Sequence, residues 1–339
     1  MARKISMKQA INEALDLEMK RDPTVIVMGE DIVGGAGSPG EEDAWGGVLG
    51  VTKGLHPKHP GRLLDTPLSE SAYIGAAIGA AASGMRPVAE LMFLDFMGVC
   101  FDQILNQAAK FKYMFGGKAK TPVVIRTMVG AGLRAAAQHS QMLIPIFTHV
   151  PGLKVVCPSN AYDAKGLLIQ AIRDDDPVIF CEHKNLYGHE TDVPAEAYAI
   201  PFGEASVVRE GKDVTIVSYG LTVHRALEAA EKLAKDRIQA EVIDLRTLSP
   251  IDWDTVIESV AQTGRLVVVD EANPRCSIAT DVAAHVTQEA FGALKAPPKM
   301  VTAPHTPVPF SPTLEDLYIP SADAIVKAVS QVTSRAMAA

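Results

Sequence analysis

The sequence predicts an α/β protein made of two domains, each built on a parallel β-sheet. Short apolar runs such as Val25–Met28 alternate with helical patterns along most of the chain. These runs are almost continuously apolar, which is typical of strands covered by helices on both faces. The length of 339 residues is also what about two domains require.

The first half of the chain alternates strands with helices. Ser6 and Gln9 form a capping-box pattern that opens an amphipathic helix ending near Lys20. A loop follows the third predicted strand, over residues 130–141. The other elements predicted here are strands at 24–28, 87–93, 121–127, 153–157 and 177–181, and helices at 72–84, at 96–112 and after Ser159.

Residues 65–71 form a predicted loop that leads into a helix rich in Gly and Ala. Ser69 is expected to cap the backbone donors of the first turn, with Glu70 at the first helical position. Gly75 and Gly79 are four residues apart and therefore share one helix face. Because glycine weakens a helix by about 1 kcal/mol relative to alanine, this face predicts the close approach of a second backbone.

Residues 185–203 interrupt the alternation with glycine and proline signals and no clear period. We expect them to link a domain over residues 1–184 to a smaller domain over residues 204–339. The elements predicted in the second domain are strands at 214–218, 240–244, 266–270 and 300–301, and helices at 222–235, 252–262, 277–290 and from Ser321 onwards.

Composition and charge exclude several classes of protein. The net charge of −8 and the absence of a long basic run argue against nucleic acid and against an acidic membrane surface. The longest uncharged helical stretch, between Glu70 and Arg86, is too short to span a bilayer. The N-terminal helix carries charges of both signs, unlike a signal peptide, so we expect a cytoplasmic protein.

Cysteine spacing and short motifs suggest neither a metal site nor a nucleotide site. The four cysteines have no paired spacing, so buried, reduced thiols are expected. Residues 35–40 match the Gly-x-Gly-x-x-Gly fingerprint, but Pro39 lies inside it and acidic residues follow where a helix should begin. No histidine pair has the spacing of a helical metal site, and no Gly-x-Ser-x-Gly elbow occurs.

Several separate stretches go beyond a generic α/β pattern, among them Asp-Thr-Pro-Leu-Ser-Glu at 65–70, residues 90–96 and Ala-Gln-His-Ser-Gln at 137–141. Through them the chain resembles, over about residues 4–332, the beta subunit of the thiamine-diphosphate-dependent first component of 2-oxo-acid dehydrogenase complexes. The acidic, glycine-rich segment 34–50 is similar in particular to that of acetoin dehydrogenase beta subunits. Pyruvate-type relatives have a shorter and less acidic segment there.

The resemblance implies a fold, a cofactor and partners. It implies a pyrimidine-binding thiamine-diphosphate domain followed by a transketolase C-terminal-like domain. Single-chain relatives bind the diphosphate and magnesium through a Gly-Asp-Gly sequence, and no such sequence occurs in this chain. The resemblance therefore implies that an alpha subunit holds magnesium and the diphosphate half of the shared cofactor. Further implied partners are a second copy of each subunit, in a two-alpha, two-beta heterotetramer, and an acyltransferase component that carries lipoamide.

The resemblance also implies roles for individual residues. Glu70 would exchange a proton with N1′ of the aminopyrimidine, and His139 would remove a proton from the substrate hydroxyl. The side chains implied in cofactor binding are Glu30, Leu68, Glu70, Met92 and Phe96. Each has a plain alternative: a first-turn or loop acid for the glutamates, a loop histidine for His139, and an ordinary core residue for the others.

A potassium site is implied as well, held by backbone carbonyls of Val123, Ala171, Ile172, Asp174 and Asp176. The alternative for this acidic turn is a charge run that simply faces water. The function that follows from the resemblance is cleavage of acetoin to acetaldehyde, with the remaining hydroxyethyl group passed to lipoamide to give acetyl-CoA. A pyruvate or branched-chain 2-oxo-acid substrate is the first alternative. A non-catalytic scaffold subunit that docks on the acyltransferase core is the second.

Overall fold

The structure is a computed structural model that describes residues 3–34 and 46–334. The chain divides into two compact units. The first unit comprises Met1–Val129 and Ile146–Phe202, and the second comprises Gly130–Pro145 and Gly203–Ala339. The short segment 130–145 therefore groups with the C-terminal half, although it lies within the first predicted domain. The domain limits 1–184 and 204–339, with the linker between them, stay predictions.

Residues 3–202 contain a parallel sheet with helices, as predicted. The strands are β1 (Arg3–Ser6), β2 (Val25–Gly29), β3 (Leu63–Asp65), β4 (Arg86–Phe93), β5 (Val124–Val129), β6 (Lys154–Val156), β7 (Val178–His183) and β8 (Glu190–Val193). The helices are α1 (Met7–Arg21), α2 (Glu70–Ala82), α3 (Met97–Asp102), α4 (Ala109–Met114), α5 (Ile144–Thr148) and α6 (Ala161–Arg173).

Six strands of the first unit lie side by side in the order β6-β7-β5-β4-β2-β3. Every neighbouring pair among them is parallel. The predicted capping box of α1 is present, since the Ser6 hydroxyl accepts from the Gln9 amide and the Gln9 side chain accepts from the Ser6 amide. Within the predicted linker, β8 pairs with β1 in the antiparallel direction.

The second unit is another α/β unit. Its strands are β9 (Ser206–Arg209), β10 (Val214–Ser218), β11 (Ala240–Asp244), β12 (Thr247–Ser249), β13 (Leu266–Asp270) and β14 (Lys299–Thr302). Its helices are α7 (Leu221–Lys235), α8 (Trp253–Thr263), α9 (Ile278–Glu289), α10 (Pro312–Tyr318) and α11 (Ala322–Ser334). Five strands form a sheet in the order β14-β13-β10-β11-β9, parallel except for β9 at one edge. The predicted fold class is confirmed.

Two details around α2 differ from the prediction. A Cβ placed on Gly75 would meet the Gln103 side chain at 3.1 Å, and one placed on Gly79 would meet nothing within 4 Å. The atoms nearest to Gly75 are thus those of a side chain, and among the described residues the expected close contact with a second backbone is not found at either glycine. The predicted helix 96–112 is also interrupted, because residues Gln103–Ala108 form a π-helix between α3 and α4.

Three further expectations can be compared with the structure. Cys100, Cys157 and Cys181 are buried and not in disulfide bonds, but Cys276 is exposed because it lies in a loop. In the part of the chain that is described, none of the helices has the length and apolar character needed to cross a membrane. The rejected glycine fingerprint at 35–40 and most of the segment 34–50 lie outside the described residues.

Candidate active site

The predicted cofactor-binding residues lie at or just after the carboxyl ends of three neighbouring strands of the first sheet. Gly29 of β2 is aligned with Asp65 of β3 on one side and with Glu90 of β4 on the other. The chain runs from β2 to β3 and then crosses to β4 on the opposite side of β2. Ligands of open parallel sheets bind outside the carboxyl ends of the strands at such a reversal of strand order. The strand order thus predicts a binding crevice where these strands end.

Glu70 is the first residue of α2, as predicted. Ser69 is the N-cap, but its side chain accepts no hydrogen bond from the first turn, so the expected cap is absent. The physical reason is the backbone, since Ser69 has ψ of 75° where the capping Ser6 has 157°. Among the described residues the half-buried Glu70 carboxyl forms neither a hydrogen bond nor an ion pair. This helix therefore begins with polar groups that the described chain does not satisfy.

Glu30 follows β2 directly and lies close to Glu70. Its side chain is only 8% exposed, yet within residues 3–34 and 46–334 it has no hydrogen-bond or ion-pair partner. Burial raises the pKa of Glu30, and the negative charges of Asp31 and Glu70 raise this pKa further. Two carboxyls without partners among the described residues thus lie near each other, and burial disfavours the charged form of the one that follows β2.

Tyr73 and Cys100 complete this cluster, and sequence reasoning did not single them out. The Tyr73 hydroxyl is buried and has no hydrogen-bond partner in the described part of the chain. Burial raises the pKa of Tyr73, and Glu70 adds to the shift. Burial likewise raises the pKa of the Cys100 thiol to about 12, with a further contribution from Glu70. The spacing of three residues between Glu70 and Tyr73, one helical turn, could have indicated Tyr73 beforehand.

The three apolar residues predicted for the pocket occupy different surroundings. Phe96 is half-buried and its ring meets that of Phe93 edge to face, with centroids 5.6 Å apart. Met92 lies at an irregularity of β4, because Leu91 and Phe93 are aligned with consecutive residues of β5. Such a bulge redirects side chains and is common beside active sites. Leu68 is 76% exposed.

A buried charge network lies in the same sheet and was also missed from the sequence. The Arg126 guanidinium donates to both Glu182 carboxylate oxygens, at 2.7 and 2.8 Å, and to Glu90 at 2.8 Å. Tyr187 donates to Glu182 at 2.5 Å. Burial opposes the charge of Arg126, but the two carboxylates outweigh it and raise the pKa of the guanidinium. A charged residue inside each of three apolar strands was the signal that could have revealed this network.

His139 lies on the segment 130–145, which belongs to the second unit. It is half-buried, and its amide donates to the carbonyl of Ala136 at 3.5 Å. The neighbouring Ser140 hydroxyl is buried and has no hydrogen-bond partner among the described residues. The structure therefore groups Glu30 and Glu70 in the first unit and places His139 in the second.

The carbonyls predicted to hold potassium face a positive charge of the protein itself. The Arg86 guanidinium donates to the carbonyl oxygens of Ile172 and Asp174, at 3.1 and 2.8 Å. The Val123 carbonyl accepts from the Val178 amide at 2.9 Å. A cation on the first two oxygens would lie close to the Arg86 guanidinium, and the potassium site stays a prediction.

Metal ligands of other kinds are not grouped either. Across residues 3–34 and 46–334, no cluster of three or more His, Cys, Asp or Glu side chains could hold a metal ion. What the described crevice offers is a set of polar groups without partners, at the carboxyl edge of a parallel sheet. Such a set is chemically matched to a polar aromatic ring that brings both donors and acceptors.

Comparison with known proteins finds two families in succession along the chain. Residues 3–190 match the family described as transketolase, pyrimidine binding domain, and residues 203–325 match transketolase, C-terminal domain. A solved structure described as a split gene transketolase, inactive beta4 tetramer, is similar with a TM-score of 0.78 and 25% identity, over 97% of this chain and 98% of that chain.

Curated relatives are similar over nearly the full length. The acetoin:2,6-dichlorophenolindophenol oxidoreductase subunit beta of Cupriavidus necator is 78% identical, over 97% of each chain. The protein of the same name from Bacillus subtilis is 58% identical, over 96% of each chain. The pyruvate dehydrogenase E1 component subunit beta of Rickettsia felis is 46% identical, over 97% of this chain and 98% of the relative. The predicted family is confirmed: the chain belongs to the transketolase-like beta subunits of the 2-oxo-acid dehydrogenase family.

Proposed function

We propose that this chain is the beta subunit of a thiamine-diphosphate-dependent enzyme that cleaves acetoin oxidatively. The observation that carries the substrate is the 78% identity to a relative named for acetoin, against 46% to one named for pyruvate dehydrogenase. The polar groups beside α2 that have no partner among the described residues support a cofactor site in the first unit. When bound, thiamine diphosphate supplies a nucleophilic carbon that attacks the substrate carbonyl.

Glu70 is the proposed acid–base group toward the cofactor. Its carboxyl lies at the start of α2 and forms no hydrogen bond or ion pair within the described residues. It can therefore hold a proton at N1′ of the aminopyrimidine, which is a donor–acceptor role that needs a free carboxyl. Glu30, with its raised pKa, would be the second acid of the site. The buried Tyr73 hydroxyl would bond to the same ligand.

Phe96, Met92 and Leu68 are proposed to contact the ring of the cofactor. Phe96 and Met92 are half-buried at the end of β4, where they can pack against a planar ring. Leu68 is exposed in the described chain, and covering it with a cofactor and a second subunit would bury an apolar side chain that now faces water. Each of these residues thus has a use in an assembled site.

His139 is the proposed base toward the substrate. Cleavage of acetoin requires removal of the proton from the hydroxyl next to the attacked carbonyl carbon, and an imidazole suits this step near neutral pH. A loop that follows the carboxyl end of a strand is a common position for such a residue. His139 meets this description, because its segment begins directly after β5.

The proposed partners are an alpha subunit and an acyltransferase component. The alpha subunit would hold magnesium and the diphosphate, for which this chain has no Gly-Asp-Gly sequence. Two copies of each subunit would form the assembly, and Gly79 with the exposed side of α2 offers a surface for close contact. Lipoamide on the acyltransferase would accept the acyl group. The cytoplasm is the proposed compartment.

The test is dye-linked oxidation by the co-purified alpha/beta assembly with thiamine diphosphate and magnesium. Acetoin, pyruvate and 2-oxoisovalerate are compared as substrates at equal enzyme concentration. A kcat/KM for acetoin well above the other two is expected. The chain without its alpha subunit is the control and should reduce no dye. A preference for pyruvate or for 2-oxoisovalerate would overturn acetoin as the proposed substrate, and the family assignment would stand.

A further inference from the structure

The segment that carries His139 has an unusual backbone. Gly130 and Gly132 have positive φ values of 87° and 104°, and the non-glycine residues Arg134 and Ala136 have φ of 59° and 61°. Left-handed conformations are unfavourable for residues with a side chain and persist only where surrounding contacts impose them. Something in the second unit must therefore hold residues 130–136.

The buried carboxylate of Glu315, in the middle of α10, makes the principal contacts. It accepts from the Gly132 amide at 2.6 Å, from the Arg134 amide at 3.1 Å and from the Arg134 guanidinium at 2.8 Å. Its side chain is 0% exposed. Hydrogen bonds to an ionised carboxylate are about twice as strong as neutral ones, so three of them fix this part of the backbone.

Glu271, the residue after β13, holds Ala131, which precedes Gly132. Its carboxylate accepts from the Ala131 amide at 2.6 Å, and it is 1% exposed. The Ala131 side chain packs in a small buried cluster with Val308 and Tyr318. Tyr318 belongs to α10, as does Glu315. The two carboxylates and α10 thus determine the path of the chain from Ala131 to Arg134.

The held backbone leads directly to His139. Ala136 has the last positive φ of the segment, and its carbonyl accepts from the His139 amide. The position of the imidazole therefore depends on a turn whose first half is fixed by Glu315 and Glu271. Neither carboxylate needs to touch a ligand to have this effect.

We propose that Glu315 and Glu271 are positioning residues, whose hydrogen bonds to the backbone of residues 131–134 set the place of the His139 imidazole in catalysis. The inference rests on the proposed role of His139. Glu315 is the stronger of the two because it accepts three hydrogen bonds, one of them from a guanidinium. A purely structural role would stabilise the second unit without acting through His139.

A double-mutant cycle on the assembled alpha/beta enzyme separates these roles. Glu315→Gln keeps the shape of the side chain but turns an amide NH2 toward the Arg134 donors, which loosens the segment. We expect kcat for acetoin to fall about tenfold to a hundredfold, as for a small displacement of a catalytic group. The Kd of thiamine diphosphate should stay unchanged. Amide exchange of residues 131–134 should become faster.

The decisive comparison uses His139→Ala. In that background Glu315→Gln should have no further effect on kcat, because the residue that it positions is gone. Asp316→Asn is the matched control on the same helix: its carboxylate, 64% exposed, meets only the outer side of Arg134, and kcat should stay at the wild-type value. If Glu315→Gln does not fold, Glu315→Asp takes its place. This variant keeps the charge and shortens the side chain, so kcat should fall less and the loss should again disappear in the His139→Ala background.

Two results would overturn the inference. Equal losses from Glu315→Gln in both backgrounds would show a role independent of His139, and a wild-type kcat in both Glu315 variants would show no role in catalysis. If His139→Ala itself keeps the wild-type kcat, the proposed base fails, and the positioning role fails with it. If the enzyme does not oxidise acetoin, the cycle is run with the substrate that it does oxidise. A wrong substrate can then be told apart from a wrong positioning role.

Discussion

The start of α2 and the segment 130–136 use buried carboxyls in opposite ways. At α2, Glu30 is buried without a partner and Glu70 likewise forms no hydrogen bond or ion pair within the described residues. At 130–136, the carboxylates of Glu271 and Glu315 accept three backbone amides between them. The carboxyls of the first region are left able to bond to a ligand, whereas those of the second region bond to the backbone and impose its conformation.

This difference teaches how one chain separates binding from positioning. A buried polar group without a partner destabilises the folded chain, and a ligand that supplies the missing hydrogen bond removes this destabilisation. A carboxylate that already accepts several hydrogen bonds has little capacity left for a ligand, but it can hold a loop in a left-handed conformation. We therefore expect substitutions in the first region to affect the chemistry directly, and substitutions of bonded charges to act through the structure that these charges hold.

The largest expected effect is that of Glu70→Gln. Replacing the carboxyl by an amide removes the proposed acid–base exchange, so turnover of the alpha/beta assembly should fall about 10² to 10⁴-fold. Turnover is measured by dye reduction at saturating cofactor. Glu210→Gln, at an exposed position, is the control and should match the wild type. Turnover near the wild-type value in Glu70→Gln would refute the role proposed for this carboxyl.

The second largest effect is expected at Arg126, a buried charge of the first unit that is hydrogen-bonded to two carboxylates. Arg126→Met leaves Glu90 and Glu182 buried without their cation, which should lower the free energy of unfolding by about 3–5 kcal/mol. Denaturant midpoints of the purified chain measure this change. Arg225→Met removes an exposed pair with Glu228 and should change stability by less than about 0.5 kcal/mol. Equal midpoints for the two variants would contradict the comparison.

Glu30 gives a pH-dependent effect of known sign. Its pKa is raised above the ordinary value of 4.5, so the folded chain binds its proton more tightly than the unfolded chain does. Wild-type stability from this group therefore falls as the pH rises through the raised pKa. Glu30→Gln should be more stable than the wild type at pH 7, by about 0.5–2 kcal/mol, with impaired turnover.

That advantage should shrink towards about pH 4, where Glu30 is protonated in both the folded and the unfolded state. The measurement is a series of denaturant midpoints between about pH 4 and pH 7. Glu210→Gln serves as the control for any effect of the buffer series. A stability difference that does not vary with pH would show that the pKa of Glu30 is not raised in the folded chain.

The smallest expected effect compares two N-cap serines. Ser6→Ala removes a hydrogen bond that caps α1 and should cost about 1 kcal/mol. Ser69 makes no such bond, so Ser69→Ala should change the free energy of unfolding by only a few tenths of a kcal/mol. Thermal or denaturant unfolding of the two variants measures both costs. Equal losses would mean that the start of α2 is capped after all.

The strand pattern allowed much of the fold to be predicted. The strands at 214–218, 240–244 and 266–270 were located to the residue, because each is a fully buried run between turn signals. The short edge strands β1, β3, β8 and β9 were missed, since half-exposed runs of three or four residues have no distinctive period. The π-helix at Gln103–Ala108 was missed because it has no composition signal of its own.

The candidate site divides in the same way. The motif Asp-Thr-Pro-Leu-Ser-Glu located Glu70 at the start of a helix, and a resemblance carried by several motifs in order identified the family. Tyr73, Cys100 and the Arg126 network were not found, because their significance lies in burial and in partners from other strands. The failed cap at Ser69 was equally invisible, since it depends on a backbone angle.

By itself the sequence determined the two α/β units, most of their helices and strands, and the family, because these depend on local periodicity and on contiguous motifs. Only the tertiary structure decided which carboxyls are partnered and which are not. Gly132 and Glu315 are 183 positions apart in the chain, yet 2.6 Å separates their bonded atoms. Such pairings arise when strands and helices pack into a compact unit, and no local pattern of residues encodes them.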